Sequence, residues 1–204
     1  VSVSTETVSG LLARIASTGP EAGGGAAAAL TAATAAALVA MVGGIATRHA
    51  PEESGLREIA GEADALRQRL TDLIGFDVDA YRRVLEARRL TAEPRAAAIR
   101  DALVGATEVP LEVATASARL LEHCVALLAP ARSSTRSDLG VAGLLAAAAL
   151  EAAALTARTN LRALEAHPFV ADAGAQLDRL LRHGGALRAR LSQALEGRYE
   201  RSHT

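Results

Sequence analysis

Lysine and tryptophan are missing from this 204-residue chain, and aromatic residues make up only 2% of it. Without lysine, no Schiff base can form on the chain. The single cysteine, Cys124, excludes an intrachain disulfide and a cysteine-rich zinc site. Its setting in the run Leu120-Leu121-Glu122-His123-Cys124-Val125 suits a buried small hydrophobe better than a reactive thiol. A net charge of −1 lacks the basic surplus that nonspecific nucleic-acid binding needs, so no nucleic-acid partner is expected. The five histidines (His49, His123, His167, His183, His203) show no HExxH or paired spacing, and no metal site is expected. The stretch Ala22 to Thr47 has no charge and is long enough to cross a bilayer. Alanine, glycine and threonine give it little driving force, however, and no aromatic belt or basic cluster flanks it, so no membrane partner is expected. Val1 to Gly10 has neither a basic n-region nor an apolar h-region, which points to a cytoplasmic location.

Half of the residues are hydrophobic, and alanine and leucine supply most of that half. Both favour helix over strand, and runs of β-branched residues are few, so the fold class is all-α. A core filled by methyl groups removes little area from water per residue. Helices must approach closely, and an apolar face left uncovered predicts a homo-oligomer.

Hydrophobic spacing predicts one domain over residues 1–204, a bundle of five or six helices. A short helix covers Thr5 to Ser17 and ends at Gly19-Pro20. Gly23-Gly24-Gly25 opens an alanine-rich helix from Ala26 to Thr47, apolar on all sides and therefore central. Pro51 is placed in the first turn of a long helix reaching about Arg89, with Glu52 and Glu53 near its positive end. Pro94 is placed likewise in the next helix, which Pro110 should kink near Val104 to Ala106. After the loop Ala129 to Thr135, Ser137-Asp138 precede a second small-residue helix from Leu139 to about Glu165. His167-Pro168 breaks it, a last helix carries Leu177 to Leu195, and Gly184-Gly185 is a candidate interruption. The polar tail after Gly197 is expected to fray.

Several residues could carry chemistry. Glycines before a helix leave backbone N–H groups open to an anion or a carbonyl oxygen, although spacing alone favours a tight packing turn for Gly23 to Gly25. Asp77 and Asp79 stand two apart, so they point in different directions and cannot share a metal. One of them could face inward, flanked by Phe76, Val78 and Tyr81, with a raised pKa suited to acid–base work; a solvated helix face is the plainer alternative. Ser137 or Asp138 could simply be an N-cap. Asn160 sits among small residues, either exposed, paired across the bundle, or on a ligand. Arg82, Arg83, Arg88 and Arg89 form a basic patch, by default solvated and otherwise a landing site for an acidic ligand.

In succession, these segments resemble the folate cyclodeaminase/cyclohydrolase family. The resemblance rests on Pro20-Glu21-Ala22-Gly23-Gly24-Gly25-Ala26-Ala27-Ala28, then Ala37 to Val42, Asp77-Val78-Asp79-Ala80-Tyr81, and Glu108-Val109-Pro110-Leu111-Glu112. It continues through Ser137-Asp138-Leu139-Gly140-Val141-Ala142 to Asn160-Leu161, covering nearly the whole chain. It implies an antiparallel up-and-down bundle that dimerises, acting on a one-carbon unit carried by tetrahydrofolate without metal or cofactor. The implied reaction is hydrolysis of 5,10-methenyltetrahydrofolate to 10-formyltetrahydrofolate. The alternatives are formiminotetrahydrofolate cyclodeaminase, or a non-catalytic dimeric scaffold. Both enzyme reactions need a proton shuttle, and the resemblance puts Asp138 first and Asp77 second. It places substrate against Gly23, Gly24, Gly25, Ser137 and Asn160. The chain departs from the family pattern at Ala22, where a proline is usual, and at Ala26, Gly44, Ala46 and Thr156, where other polar residues are usual, which leaves Arg48 and His49 as replacements.

Overall fold

The computed structural model describes residues 6–19, 22–165 and 167–199. Thr5, Pro20, Glu21 and His203 lie outside the described residues, as does the tail from position 200 onward. Among the described residues there are six α-helices and no strand. They are α1 (Val8–Ile15), α2 (Gly24–His49), α3 (Ser54–Arg89), α4 (Arg95–Ala126), α5 (Arg136–Leu164) and α6 (Phe169–Tyr199). A 3-10 turn, Ser133–Thr135, leads into α5.

The all-α reading holds, and several boundaries move. The short first helix begins at Val8, where the Thr7 hydroxyl accepts the Gly10 N–H at 3.0 Å. Gly24 and Gly25 belong to α2 itself, and only Gly23 stays outside as its N-cap. Pro51 and Pro94 both precede their helices: α3 starts at Ser54 after Glu53, and α4 at Arg95 after Pro94. No acidic residue therefore stands in the first turn of α3, contrary to the expectation for Glu52 and Glu53. Helix α5 starts at Arg136, so Ser137 and Asp138 are inside its first turn and Thr135 is the cap position. Gly184-Gly185 does not interrupt α6, which runs through both. A side chain at Gly184 would collide with Leu150 Cδ2, so that glycine serves the close packing of α6 on α5.

Helix α2 packs against α3, α5 and α4, while α6 covers α4 and α5. Helices α2 and α5 each contain a stretch long and apolar enough to cross a membrane, and here about half of each apolar stretch is buried within the bundle. Twelve residues of α2 are buried, eight of them alanine, and every large side chain that is fully buried is aliphatic apart from Thr107. Phe76 and Tyr81 remain 44% and 48% exposed, so aromatic rings contribute little to the core. Cys124 is fully buried on α4, and that burial pushes its thiol up to about 12, consistent with a packing role.

Candidate active site

The N-terminus of α2 lacks a side-chain cap because Gly23 has none to offer. Its partner comes from α3. The Asp77 carboxyl stands against the N-terminal backbone of α2, where the Ala26 N–H pulls its pKa down, next to the positive end of the α2 dipole. This is only possible because residue 25 is glycine: a Cβ there would collide with Asp77 Oδ1. Gly23 has nothing within 4 Å of such a Cβ, and Gly24 has only the Thr156 hydroxyl at 4.0 Å. The three glycines therefore divide the work. Gly25 admits the carboxyl, while Gly23 and Gly24 leave open space beside it.

That space is a cleft of about 550 Å³ between α2, α3, α4 and α5. From α3 come Asp77, Tyr81, Val84 and Arg88, whose spacings of four, three and four place them on one helix face. Helix α4 adds Leu103 and Ala106, and α5 adds Leu155, Thr156, Thr159 and Asn160. Asp79, two residues from Asp77, points elsewhere and pairs with Arg82 at 3.3 Å on the exposed side. Burial of the Asp77 carboxyl raises its pKa from the ordinary value, against the opposing pull of the Ala26 N–H. An acid held nearer neutrality in an apolar cleft can both take and return a proton.

Asn160 is fixed by a consequence of Pro110. Proline has no N–H, so the carbonyl four residues earlier in α4, that of Ala106, loses its helical partner. The Asn160 Nδ2 of α5 donates to Ala106 O at 2.9 Å. Helix α4 continues through Pro110 as a single element. With its amide nitrogen committed to that carbonyl, Asn160 has its Oδ1 left to accept a donor in the cleft. The Thr156 and Thr159 hydroxyls donate back to Ala152 O and Leu155 O, at 3.1 and 3.0 Å, which orients their lone pairs.

The structure thus brings together Gly23, Gly24, Gly25, Asp77 and Asn160. It does not bring Asp138, Ser137, Arg48 or His49 to this cleft. Asp138 lies 18 residues before Thr156 on α5, about 27 Å along the helix axis at 1.5 Å per residue. As an acidic residue in the first turn, it complements the dipole of α5. Arg48 and His49 are exposed in the last turn of α2, and Arg48 is about 35 Å along the axis from Gly25. Within the subunit, Asp77 is therefore the aspartate on the cleft and Asp138 is not. Of the other lining residues, Tyr81, Leu155 and Thr159 were not singled out as site residues by sequence; Arg88 stood only within the basic patch, as one possible landing site for an acidic ligand, and Thr156 only as a departure from the family pattern. The four-three-four spacing from Asp77 would have pointed to Tyr81, Val84 and Arg88.

Residues 7–179 match the protein family described as formiminotransferase-cyclodeaminase. The methenyltetrahydrofolate cyclohydrolase of Methylorubrum extorquens is 32% identical over 202 residues, covering 95% of this chain and 97% of that protein. The crystal structure of formiminotetrahydrofolate cyclodeaminase from Thermotoga maritima superposes with a TM-score of 0.89 over 96% of this chain and 98% of that one. At 23% identity, that likeness concerns the fold.

Proposed function

This chain belongs to the formiminotransferase-cyclodeaminase family, and we propose that it hydrolyses the methenyl bridge of 5,10-methenyltetrahydrofolate, giving 10-formyltetrahydrofolate. The observation that carries the reading is the half-buried Asp77 carboxyl on the wall of an open cleft, with its pKa raised by desolvation. Water adds to the electrophilic methenyl carbon as Asp77 removes its proton, forming a tetrahedral centre. The bond from that carbon to N5 then breaks, N5 takes the proton from Asp77, and the formyl group stays on N10. One proton is released to solvent overall, and neither metal nor redox partner enters the balance. Such a positioned carboxyl contributes about 10²–10⁴-fold in rate. Gly23 and Gly24 leave the α2 backbone accessible to the pterin, and the Asn160 Oδ1 accepts one of its N–H groups.

The likeness to a cyclodeaminase of known structure keeps a second reaction in view, because the same carboxyl could protonate departing ammonia. The test is loss of the methenyl chromophore of 5,10-methenyltetrahydrofolate, beside ammonia release from 5-formiminotetrahydrofolate. Faster methenyl decay than in buffer supports hydrolysis; ammonia release alone assigns the cyclodeaminase reaction. Neither activity, together with no folate binding by calorimetry, leaves the scaffold reading.

We infer also that the chain works as a homodimer. Val141, Leu144 and Leu155 are 46%, 56% and 70% exposed on α5, in line with the exposed Ala148 and Ala152. The neighbouring face of α2, from Ala27 through Thr34 and Ala37 to the 42%-exposed Met41, also carries no charge. An uncharged surface spanning two packed helices fits a second copy of itself.

A further inference from the structure

We propose that Arg88 receives the carboxylate of the substrate's glutamate tail and so fixes which tetrahydrofolates the cleft accepts; this rests on the folate reading above. Among the residues lining the cleft, only Asp77 and Arg88 are charged, and they mark its two ends on α3. Eleven residues, three helical turns, separate them, about 16 Å between Cα positions. Tyr81 and Val84 lie between them on the same face, and the apolar Leu103 and Leu155 line the cleft from α4 and α5. A carboxyl at one end, an uncharged middle of mixed apolar and hydroxyl side chains and a guanidinium at the other end select an elongated ligand with a reactive cationic head and an anionic tail. The substrate has that order, with a benzoyl ring and an amide bond between the methenyl carbon and the glutamate carboxylates.

Arg88 is also the arginine of this patch that is placed for the task. Arg82 is paired with Asp79 at 3.3 Å, and Arg83 lines a different groove, together with Phe76 and Glu86. Arg88 is exposed, and no described carboxylate is bridged to its guanidinium. Its backbone is held instead, since the Arg95 guanidinium donates to Arg88 O at 3.3 Å and ties the end of α3 to the start of α4. A guanidinium on an anchored backbone grips a carboxylate in two parallel hydrogen bonds without large loss of freedom.

The experiment compares native protein and Arg88→Met on two substrates, 5,10-methenyltetrahydrofolate and the corresponding methenyltetrahydropteroate, which lacks the glutamate. Calorimetry with tetrahydrofolate and tetrahydropteroate gives a readout independent of turnover. On the folate, the variant is expected to raise KM about tenfold or more with kcat unchanged, as for loss of a charge-assisted contact made equally in ground and transition states. Native protein should lose the same factor on the tail-less substrate, and the variant should no longer distinguish the two; Arg88→Lys should fall between. If native and variant favour the glutamylated compound equally, Arg88 does not read the tail and the inference is overturned while the folate reading stands. If the native protein neither binds nor turns over either compound, the folate reading falls and takes this inference with it.

Discussion

The Asp77 carboxyl occupies the volume that a side chain at position 25 would need. A glycine on α2 and an aspartate on α3 are thereby one feature, because the carboxyl reaches the α2 N-terminus only over a bare backbone. Gly25→Ala should push the carboxyl away from the Ala26 N–H, lowering both the melting temperature and activity. Gly23→Ala has open space and should fold as the native protein does. Thermal melts of the two variants check this, with a large shift expected at position 25 alone.

Burial of Asp77 sets stability against function. Its folded pKa is raised, so as pH rises through the ordinary 3.8 the unfolded chain gives up this proton before the folded one. Stability from this group is therefore greatest below 3.8 and falls as pH climbs toward the folded value. At neutral pH, Asp77→Asn should melt higher than the native protein despite being far less active. Differential scanning calorimetry at pH 7 and pH 3 should show the gain at pH 7 shrinking at pH 3.

Asn160 should be coupled to Pro110. Removing its amide leaves the Ala106 carbonyl without a partner, at a cost of about 1–3 kcal/mol. In Pro110→Ala the helix supplies its own N–H to that carbonyl, so Asn160→Ala should cost little in that background. Urea denaturation of the two single variants and the double variant measures the coupling. Additive losses would remove the pairing from the account.

How far this site was legible in the sequence depends on the kind of signal. The proline at 110 and the one asparagine of the chain, at 160, were both visible, and helix geometry dictates that Pro110 orphans the carbonyl of residue 106. What no spacing could supply is the register of α5 on α4 that sets Asn160 beside it. The alanine run of α2 was plain, as its hydrophobicity all round requires burial. Asp77 was one of two candidates, and only the packing of α3 on α2 decides between it and Asp79. Asp138, Arg48 and His49 came from likeness to a family pattern, which carries order along the chain but not distance. On helices nearly 30 residues long, 18 or 23 positions separate opposite ends of the molecule. Pro51 and Pro94 misplaced two helix starts because proline suits the positions just before a helix as well as its first turn.

A second titration lies on the far side of α4. His123 is 3% exposed, with Nε2 3.2 Å from a Glu62 oxygen that Arg119 already holds in a two-bond pair at 2.7 and 2.8 Å. Burial holds the His123 pKa below the ordinary 6.5, against the pull of Glu62. The unfolded chain takes up this proton first on acidification, so stability should begin to fall as pH drops through about 6.5. His123→Gln should flatten that part of the melting temperature profile between pH 7 and pH 5.

Leu144 lies at the centre of the exposed α5 stripe and away from the cleft. Leu144→Arg should convert a dimer to a monomer in sedimentation equilibrium while keeping the helical circular dichroism of the native chain. A native protein that sediments as a monomer would contradict the dimer assignment.

The central claim is that Asp77 moves the proton when the methenyl bridge opens. Its most direct measurement is the single-turnover decay of the methenyl chromophore at pH 7 with native protein, Asp77→Asn and Asp138→Asn side by side. The native rate is expected well above buffer, with a loss of about 10²–10⁴-fold in Asp77→Asn and a near-native rate in Asp138→Asn. Full activity in Asp77→Asn, or collapse in Asp138→Asn alone, would contradict that claim.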